Sequence, residues 1–221
     1  MFVGCTTDPA VELAVRLLAI LPDRLRRVFY SDNGSTAVEV GLKMAHQYWR
    51  NRGQVERKTF IALHGAYHGD TVGAMSVSEE SVFTQAFTPL MFPILRAQAQ
   101  VDSVEEVLRE RGGEIAGVIV EPMLQGAGGM LFSPPEFLAG VRALCDRYGV
   151  LMIADEVLTG FGRTGRMFAC EHASVAPDIM CLSKALTAGY LPMGATVASE
   201  DVYDAFLSED RAKRCFHGPP A

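Results

Sequence analysis

Short apolar runs alternate with amphipathic stretches along this chain. Apolar positions recur at the helical period in four segments, and these predict helices at 9–21, 36–49, 103–111 and 134–149. The intervening β-rich runs predict strands at 28–30, 59–63, 117–122, 150–156, 178–184 and 194–199. Several of these strands are apolar throughout, as in sheets covered on both faces. The order predicts an α/β fold with a mainly parallel central sheet and helices on both faces.

The composition of the chain indicates which classes of ligand and which cellular compartment to expect. A net charge of -6 over 221 residues argues against nucleic acid as the main ligand. No apolar run approaches the roughly 18 residues that span a bilayer, and the first ten residues do not resemble a signal peptide. Five cysteines without a CxxC pair indicate free thiols in a reducing compartment. We therefore expect a soluble, cytoplasmic protein that binds neither nucleic acid nor membranes.

Candidate chemistry follows the predicted strands. Ligands of open α/β sheets bind beyond the carboxyl ends of the strands. The segments in that position are 31–36, 64–70, Glu121, 155–156 and 183–184.

The turn "DNGST" precedes a predicted helix. Gly34 allows close backbone approach, Ser35 and Thr36 offer hydroxyl groups, and a helix start favours a phosphate. The same residues, with Asn33, would also make an ordinary helix cap. Phosphate binding and simple capping both remain open from this stretch.

The stretch "HGAYHGD" allows two interpretations. His64 and His68 are four residues apart, but two glycines disfavour a helix and no third ligand stands nearby, so we expect no metal site. Tyr67 could stack on a planar ring or be a partly buried loop tyrosine.

Two charged residues end predicted strands. Asp155 needs a partner if it is buried, which could be a cationic ring nitrogen, while Glu156 could serve as a cap or ion pair. Lys184 follows an apolar strand, and burial there would favour its neutral amine. The alternative for Lys184 is a side chain that extends to the surface.

Taken together, these groups meet the needs of one cofactor. A phosphate cradle, a stacking aromatic ring, an acid for a ring nitrogen and a lysine amine are what pyridoxal phosphate requires. Lysine can also move a proton during the reaction.

The motifs and their order resemble a known family. The stretches are "SDNGSTAVEVGLKMAHQYW", "GAYHGDTVGAMSVS", "VEPMLQGAGGM", "IADEVLTGFGRTGRMFACEH" and "PDIMCLSKALTAGYLPMGAT". They are similar to the class III (subgroup II) aminotransferases, which have the type I fold of pyridoxal phosphate enzymes. The resemblance implies that residues 1–221 form the cofactor-binding large domain. It also implies that an N-terminal segment and a C-terminal small domain are missing, so we expect a fragment of a longer protein.

The resemblance assigns roles to the candidates. Lys184 would bond covalently to the cofactor, Asp155 would pair with its ring nitrogen, and Tyr67 would stack on the ring; these three are the implied catalytic residues. The other implied cofactor contacts are Asn33, Gly34, Ser35, His68, Glu121 and Val157. Val157 would pack on the second ring face, and Glu121 would orient Asp155 or a water molecule.

The terminal "HGPPA" resembles a loop that reaches the neighbouring subunit's cofactor, which implies a homodimer with its active site at the interface. Gly218 and Pro219 would contact the cofactor, and Gly218, Tyr67 and Lys184 would contact the substrate. Pro220 stands where the family has a phosphate-binding threonine, and proline has neither hydroxyl nor N–H.

The resemblance also implies a substrate. The stretches "ACEHASVAPDI", "QGAGGM" and "HGP" are similar to those of the family members that act in biotin synthesis. Those enzymes move an amine from S-adenosylmethionine, or lysine, to 8-amino-7-oxononanoate and so give 7,8-diaminononanoate. Leu158 stands where many ornithine- and 4-aminobutyrate-type relatives have glutamine. The alternatives are another class III ω-amino-acid, ornithine or diamine aminotransferase, and a truncated non-catalytic remnant.

Overall fold

The structure, a computed structural model, describes residues 6–215. The helices are α1 (Asp8–Leu18), α2 (Gly34–Asn51), α3 (Val72–Val77), α4 (Val101–Arg111), α5 (Pro135–Tyr148) and α6 (Glu200–Asp204). The strands are β1 (Leu25–Ser31), β2 (Thr59–Leu63), β3 (Leu95–Ala97), β4 (Ile115–Val120), β5 (Leu124–Gln125), β6 (Leu131–Phe132), β7 (Leu151–Asp155), β8 (Ile179–Leu182) and β9 (Gly194–Ser199). In this part of the chain no helix is long and apolar enough to cross a membrane.

Seven strands form one sheet in the order β1-β9-β8-β7-β4-β2-β3. Strand β9 runs antiparallel to both of its neighbours, and the other pairs are parallel. The prediction of a mainly parallel sheet is confirmed. Strands β1, β2, β4, β7 and β8 therefore place their carboxyl ends on the same edge, where the candidate residues follow them.

Helices cover both faces of the sheet because successive strand residues point to opposite sides. On β7, Ile153 packs in the same apolar cluster as Val38 of α2, whereas Met152 packs with Leu144 of α5. All the residues of β4 and β7 are buried. Helix α5 ends, as predicted, at Gly149, which adopts a left-handed φ of 60°.

Some elements were not predicted. Strand β3 has three residues and the β5–β6 hairpin two in each strand, so neither displays a readable period. Their conformation comes from pairing with a partner strand, as when Ile61 of β2 aligns with Leu95. The antiparallel direction of β9 likewise depends on tertiary pairing, because an apolar run in the sequence does not show whether a strand pairs parallel or antiparallel.

The start of α2 is fixed by a reciprocal cap. Asn33 Oδ1 accepts from the Thr36 N–H at 3.0 Å, and Thr36 Oγ1 accepts from the Asn33 N–H at 2.9 Å. The capping interpretation of "DNGST" is therefore correct, and it leaves the preceding N–H groups of the helix free.

We expect Asn33→Ala to lower the free energy of unfolding by about 1 kcal/mol, because one orphan N–H of α2 loses its acceptor. Urea denaturation followed by circular dichroism measures this change. Asp32→Ala is the control, since Asp32 is exposed and outside the cap. An equal loss in both variants would contradict a specific role for the cap.

Candidate active site

A cavity of about 860 Å³ opens at the carboxyl edge of the sheet. It brings together residues that are far apart in sequence, from the start of α2 to the loop after β8. Nine predicted site residues line it: Asn33, Gly34, Ser35, Tyr67, His68, Glu121, Asp155, Val157 and Lys184. The remaining two, Gly218 and Pro219, lie outside the described residues, as does Pro220.

One wall of this cavity is the N-terminus of α2. The N–H groups of Gly34 and Ser35 have no acceptor within the helix, because the first turn lacks preceding carbonyl groups. Asn33 and Thr36 satisfy each other and do not compete for an added anion. Free donors and the positive end of the helix dipole therefore face a cavity, as a phosphate requires.

The loop after β2 packs directly against this helix start. The Asp70 N–H donates to Ser35 Oγ at 3.1 Å. Gly69 has a φ of 130°, and a Cβ on it would lie 2.7 Å from Ser35 Cβ and 2.8 Å from Ser35 Cα. Only glycine allows this contact, because the opposing Cα is backbone and cannot move aside.

We expect Gly69→Ala to weaken pyridoxal phosphate binding by at least about tenfold and to lower stability by about 1–3 kcal/mol, because the new methyl group separates the two loops. An absorbance titration with the cofactor measures the first effect. Gly53→Ala is a matched control, since Gly53 has a φ of 77° but nothing within 4 Å of its virtual Cβ. If Gly53→Ala weakens binding equally, the Ser35 contact is not the cause.

Asp155 is buried at the end of β7 and has two partners. Its Oδ1 accepts from the Val157 N–H at 3.0 Å, and its Oδ2 lies 2.7 Å from His68 Nδ1. Since a carboxylate only accepts, His68 Nδ1 carries the proton of that bond. His68 Nε2 is buried and has no partner within residues 6–215. Thus His68, predicted as a cofactor contact, holds Asp155 in place from within the protein.

Glu121 joins two loops of the cavity. Its Oε1 accepts from the Tyr67 N–H and its Oε2 from the Gly126 N–H, both at 3.0 Å. Burial raises the pKa of Glu121, and the nearby Asp155 adds to that effect. Sequence reasoning gave Glu121 the task of orienting Asp155 or a water molecule; within the described chain its hydrogen bonds are to these two backbone groups.

Tyr67 presents its ring to the cavity and donates its hydroxyl to Asp70 Oδ2 at 2.9 Å. Partial burial, the bond to Asp70 and the negative charges of Asp70 and Asp155 raise the pKa of Tyr67 to about 12. The hydroxyl therefore stays protonated at neutral pH and cannot act as a general base. A stacking role requires only the ring.

Lys184 lies at the far side of the cavity, directly after β8 and Ser183. Of the two interpretations left open for Lys184, the structure favours extension to the surface: Lys184 is exposed, at the start of a short 3-10 helix, Lys184–Thr187. Its side chain makes no hydrogen bond or ion pair with another residue of the described range. Its φ of 36° is rare for a residue with a side chain, and such strain is frequent at functional positions.

Sequence reasoning missed part of the lining. Gly69, Asp70 and Ser183 lie in the candidate segments 64–70 and 183–184, and Leu158 was noted as a substrate discriminator. The residues that were missed are Gly126, Ala127, Met130, Thr187, Gly189, Leu191, Pro192 and Met193. They belong to the two loops with the sequences "QGAGGM" and "TAGYLPM". The first loop is rich in glycine, and this was the available signal; the second contains a single glycine.

Two other sequence candidates have structural roles. Glu156 is completely buried and accepts from Thr159 Oγ1 and from the N–H groups of Ala169 and Cys170. His64, considered as a metal ligand, instead lies 3.1 Å from Glu79. No group of three metal-ligating side chains occurs among residues 6–215.

Comparison with known proteins supplies the family. The sequence model described as "Aminotransferase class-III" matches residues 1–220. The chain belongs to the class III aminotransferases. The resemblance noted in the sequence is thereby confirmed, and it covers nearly the whole chain.

The individual relatives of this class III aminotransferase chain are all named as aminotransferases or transaminases. It is 52% identical to an adenosylmethionine-8-amino-7-oxononanoate aminotransferase of Geobacter sulfurreducens, covering 97% of this chain and 52% of that protein. The crystal structure of the Methanocaldococcus jannaschii protein of the same name superposes with a TM-score of 0.95 at 40% identity, covering 100% of this chain and 52% of that one. The structure of an amine transaminase from an uncultivated Pseudomonas species, solved in its PLP-bound form, superposes with a TM-score of 0.87 at 36% identity. This match covers 93% of this chain and 51% of that one. The chain thus spans about half the length of the relatives it matches.

The residues present fit the cofactor of class III aminotransferases. The free N–H groups at Gly34 and Ser35 suit a phosphate, and the buried Asp155 carboxylate suits a cationic ring nitrogen. Tyr67 and Val157 both line the space between these two anchors, and Lys184 offers an unpaired amine. Each chemical need of pyridoxal phosphate therefore has a group in one cavity.

Proposed function

We propose that this chain is the pyridoxal phosphate-binding large domain of an aminotransferase. The donor would be S-adenosylmethionine or lysine, the acceptor 8-amino-7-oxononanoate, and the product 7,8-diaminononanoate, a reaction of biotin synthesis. The observation that carries the proposal is the convergence of Asp155 and Lys184 on one cavity, in a chain 52% identical to a protein with that activity in its name.

In this proposal each residue has one task. Gly34 and Ser35 bind the phosphate, while Asp155, held by His68, keeps a proton on the ring nitrogen. Bound pyridoxal phosphate supplies the electron sink for the carbon next to the amino group. Lys184 Nζ would anchor the cofactor, and the same amine would accept and return the proton that moves during transfer.

The aromatic and apolar residues position the flat ring. Tyr67 and Val157 restrict it from two sides, and Glu121 fixes the loop that carries Tyr67 through the backbone. Asn33 contributes through the cap that shapes the helix start. We propose Gly218 and Pro219 as contacts to the neighbouring subunit's cofactor, and Gly218, Tyr67 and Lys184 as contacts to the substrate.

The biotin-type substrate is favoured over ornithine-type substrates by the names of the relatives and by Leu158. Leu158 lines the cavity and packs against Gly126, where any side chain at position 126 would collide with it. An apolar residue there suits a long aliphatic acceptor better than glutamine does.

The test is an amine-transfer assay with separate donors. The chain, loaded with cofactor, is incubated with 8-amino-7-oxononanoate and either S-adenosylmethionine, lysine, ornithine or 4-aminobutyrate, and 7,8-diaminononanoate is measured by mass spectrometry. We expect product with S-adenosylmethionine or lysine. Faster transfer from ornithine or 4-aminobutyrate would contradict the proposed substrate, and bound cofactor without any transfer would indicate a non-catalytic remnant.

A cytoplasmic homodimer is also part of the proposal. Four described cysteines are free, and Cys145, Cys170 and Cys181 are buried, which suits a reducing compartment. Large apolar side chains are exposed, including Tyr190 (89%) and Phe132 (77%), as expected of an interface. Sedimentation velocity at several concentrations tests this: a strictly monomeric chain would contradict it.

A further inference from the structure

A second cavity, of about 800 Å³, lies on the outer side of α2. None of the residues that line it also lines the candidate active site. We call it the basic cavity; its lining includes Glu39, Lys43, His46, Gln47, Arg50 and Asn51 of α2, the stretch Lys58–Phe60, Phe92 with Pro93, and Arg211, Ala212 and Arg214. The α2 residues recur every three or four positions and so form one face of that helix.

The two walls of the basic cavity are joined by hydrogen bonds. Gln47 Nε2 donates to the Arg214 carbonyl oxygen at 2.9 Å, and Asn51 Nδ2 donates to the Lys213 carbonyl oxygen at 2.8 Å. These side-chain amides hold the segment that carries Arg211 and Arg214 alongside the helix. The cavity therefore lies between two connected elements rather than on one exposed helix face.

Positive charge is concentrated in this cavity although the whole chain carries -6. Among residues 6–215, its lining contains five lysine or arginine side chains and a single carboxylate, Glu39. Glu39 already accepts from Thr71 Oγ1 at 2.6 Å and from the Ala74 N–H at 3.1 Å. Arg50, Lys58 and Arg211 are exposed and form no ion pair with any residue in 6–215. Among residues 6–215, these three cations therefore have no carboxylate within ion-pair distance.

The floor of the basic cavity is apolar. Leu42 and Phe60 are buried, whereas Phe92 is 37% exposed. The rings of Phe60 and Phe92 lie 6.2 Å apart between centroids at an interplanar angle of 48°. An exposed ring beside unpaired cations offers a surface for a planar group that is attached to an anion.

We propose that the basic cavity binds a nucleoside polyphosphate. Guanidinium groups from α2 and the 211–214 segment, and the ammonium group of Lys58 directly before β2, would contact the phosphates, since arginine donates in pairs to phosphate oxygens. The base would lie against Phe92. A volume of about 800 Å³ is within the usual range for small-molecule sites.

The binding is tested by equilibrium dialysis with ATP, pyrophosphate and adenosine at low ionic strength. The chain is first saturated with pyridoxal phosphate so that the candidate active site is blocked. We expect ATP to bind most tightly, pyrophosphate more weakly and adenosine least, and we expect the ATP affinity to fall as salt is raised. No retention of ATP, or equal affinity for pyrophosphate, would overturn the proposal.

Variants locate the site. Arg50→Gln combined with Lys58→Gln is expected to weaken ATP binding by at least about tenfold, because two phosphate contacts are lost. Arg109→Gln combined with Arg166→Gln removes the same charge from exposed positions outside the basic cavity and is expected to change binding less than about twofold. Equal weakening by both pairs would show that only net charge matters and would overturn the site. Arg211→Glu, on the opposite wall, gives an independent test and is also expected to weaken ATP binding. None of these measurements requires amine transfer.

Discussion

Lys184→Ala is expected to abolish attachment of pyridoxal phosphate that survives borohydride reduction and denaturation. Alanine offers no amine, and within the described chain no other lysine lines the candidate active site. Turnover should fall by about 10²–10⁴-fold or more, because the group that moves the proton is also lost. Absorbance after reduction and gel filtration measures the attachment.

The matched control for this prediction is Lys213→Ala. Lys213 is exposed and does not line the candidate active site, so cofactor attachment should be unchanged. Both variants should retain the far-ultraviolet circular dichroism of the parent chain, since neither side chain belongs to the core. Attachment that persists in Lys184→Ala would refute the assigned role of this residue.

Asp155→Asn is expected to weaken cofactor binding by about a hundredfold or more. Breaking a buried charge pair by removing one charge costs about 3–5 kcal/mol. The amide also fits its surroundings poorly, since Val157 N–H and His68 Nδ1–H both donate to the carboxylate. In either orientation the Asn NH₂ group would face one of these donors. Fluorescence or absorbance titration with pyridoxal phosphate gives the dissociation constant.

Asp178→Asn separates this effect from loss of stability. Asp178 is equally buried, but it pairs with Arg24 and Arg142 and accepts from the Met152 N–H, away from the cavity. We expect Asp178→Asn to lower the urea midpoint while leaving cofactor affinity within about twofold. If Asp178→Asn weakens binding as much as Asp155→Asn, general destabilisation would explain both results.

The sequence predicted the sheet and most of its strands because the periods of these elements are clear. Runs such as 150–154 are apolar throughout, and the strand ends place Asp155 and Lys184 on the edge where ligands bind. The same reasoning identified Ser35 and Tyr67. These residues could be found because strand ends are local features of the sequence.

Contacts between distant segments could not be read in the same way. The partnership of His68 with Asp155 spans 87 positions, and the contact between Glu121 and the Tyr67 N–H spans 54. The sequence left open whether Lys184 is buried or extends to the surface, because the exposure of its side chain depends on the path of the next loop. Likewise, the requirement for glycine at a position such as Gly69 depends on a contact with a distant segment, here Ser35.

The most direct test of the account is to locate the cofactor on the intact chain. The protein is saturated with pyridoxal phosphate, reduced with borohydride, digested and mapped by mass spectrometry. The chain contains only four lysines, Lys43, Lys58, Lys184 and Lys213, so the assignment is unambiguous. We predict the reduced cofactor at nearly stoichiometric amount on the peptide that contains Lys184. A label on another lysine, or no label at all, would contradict the account.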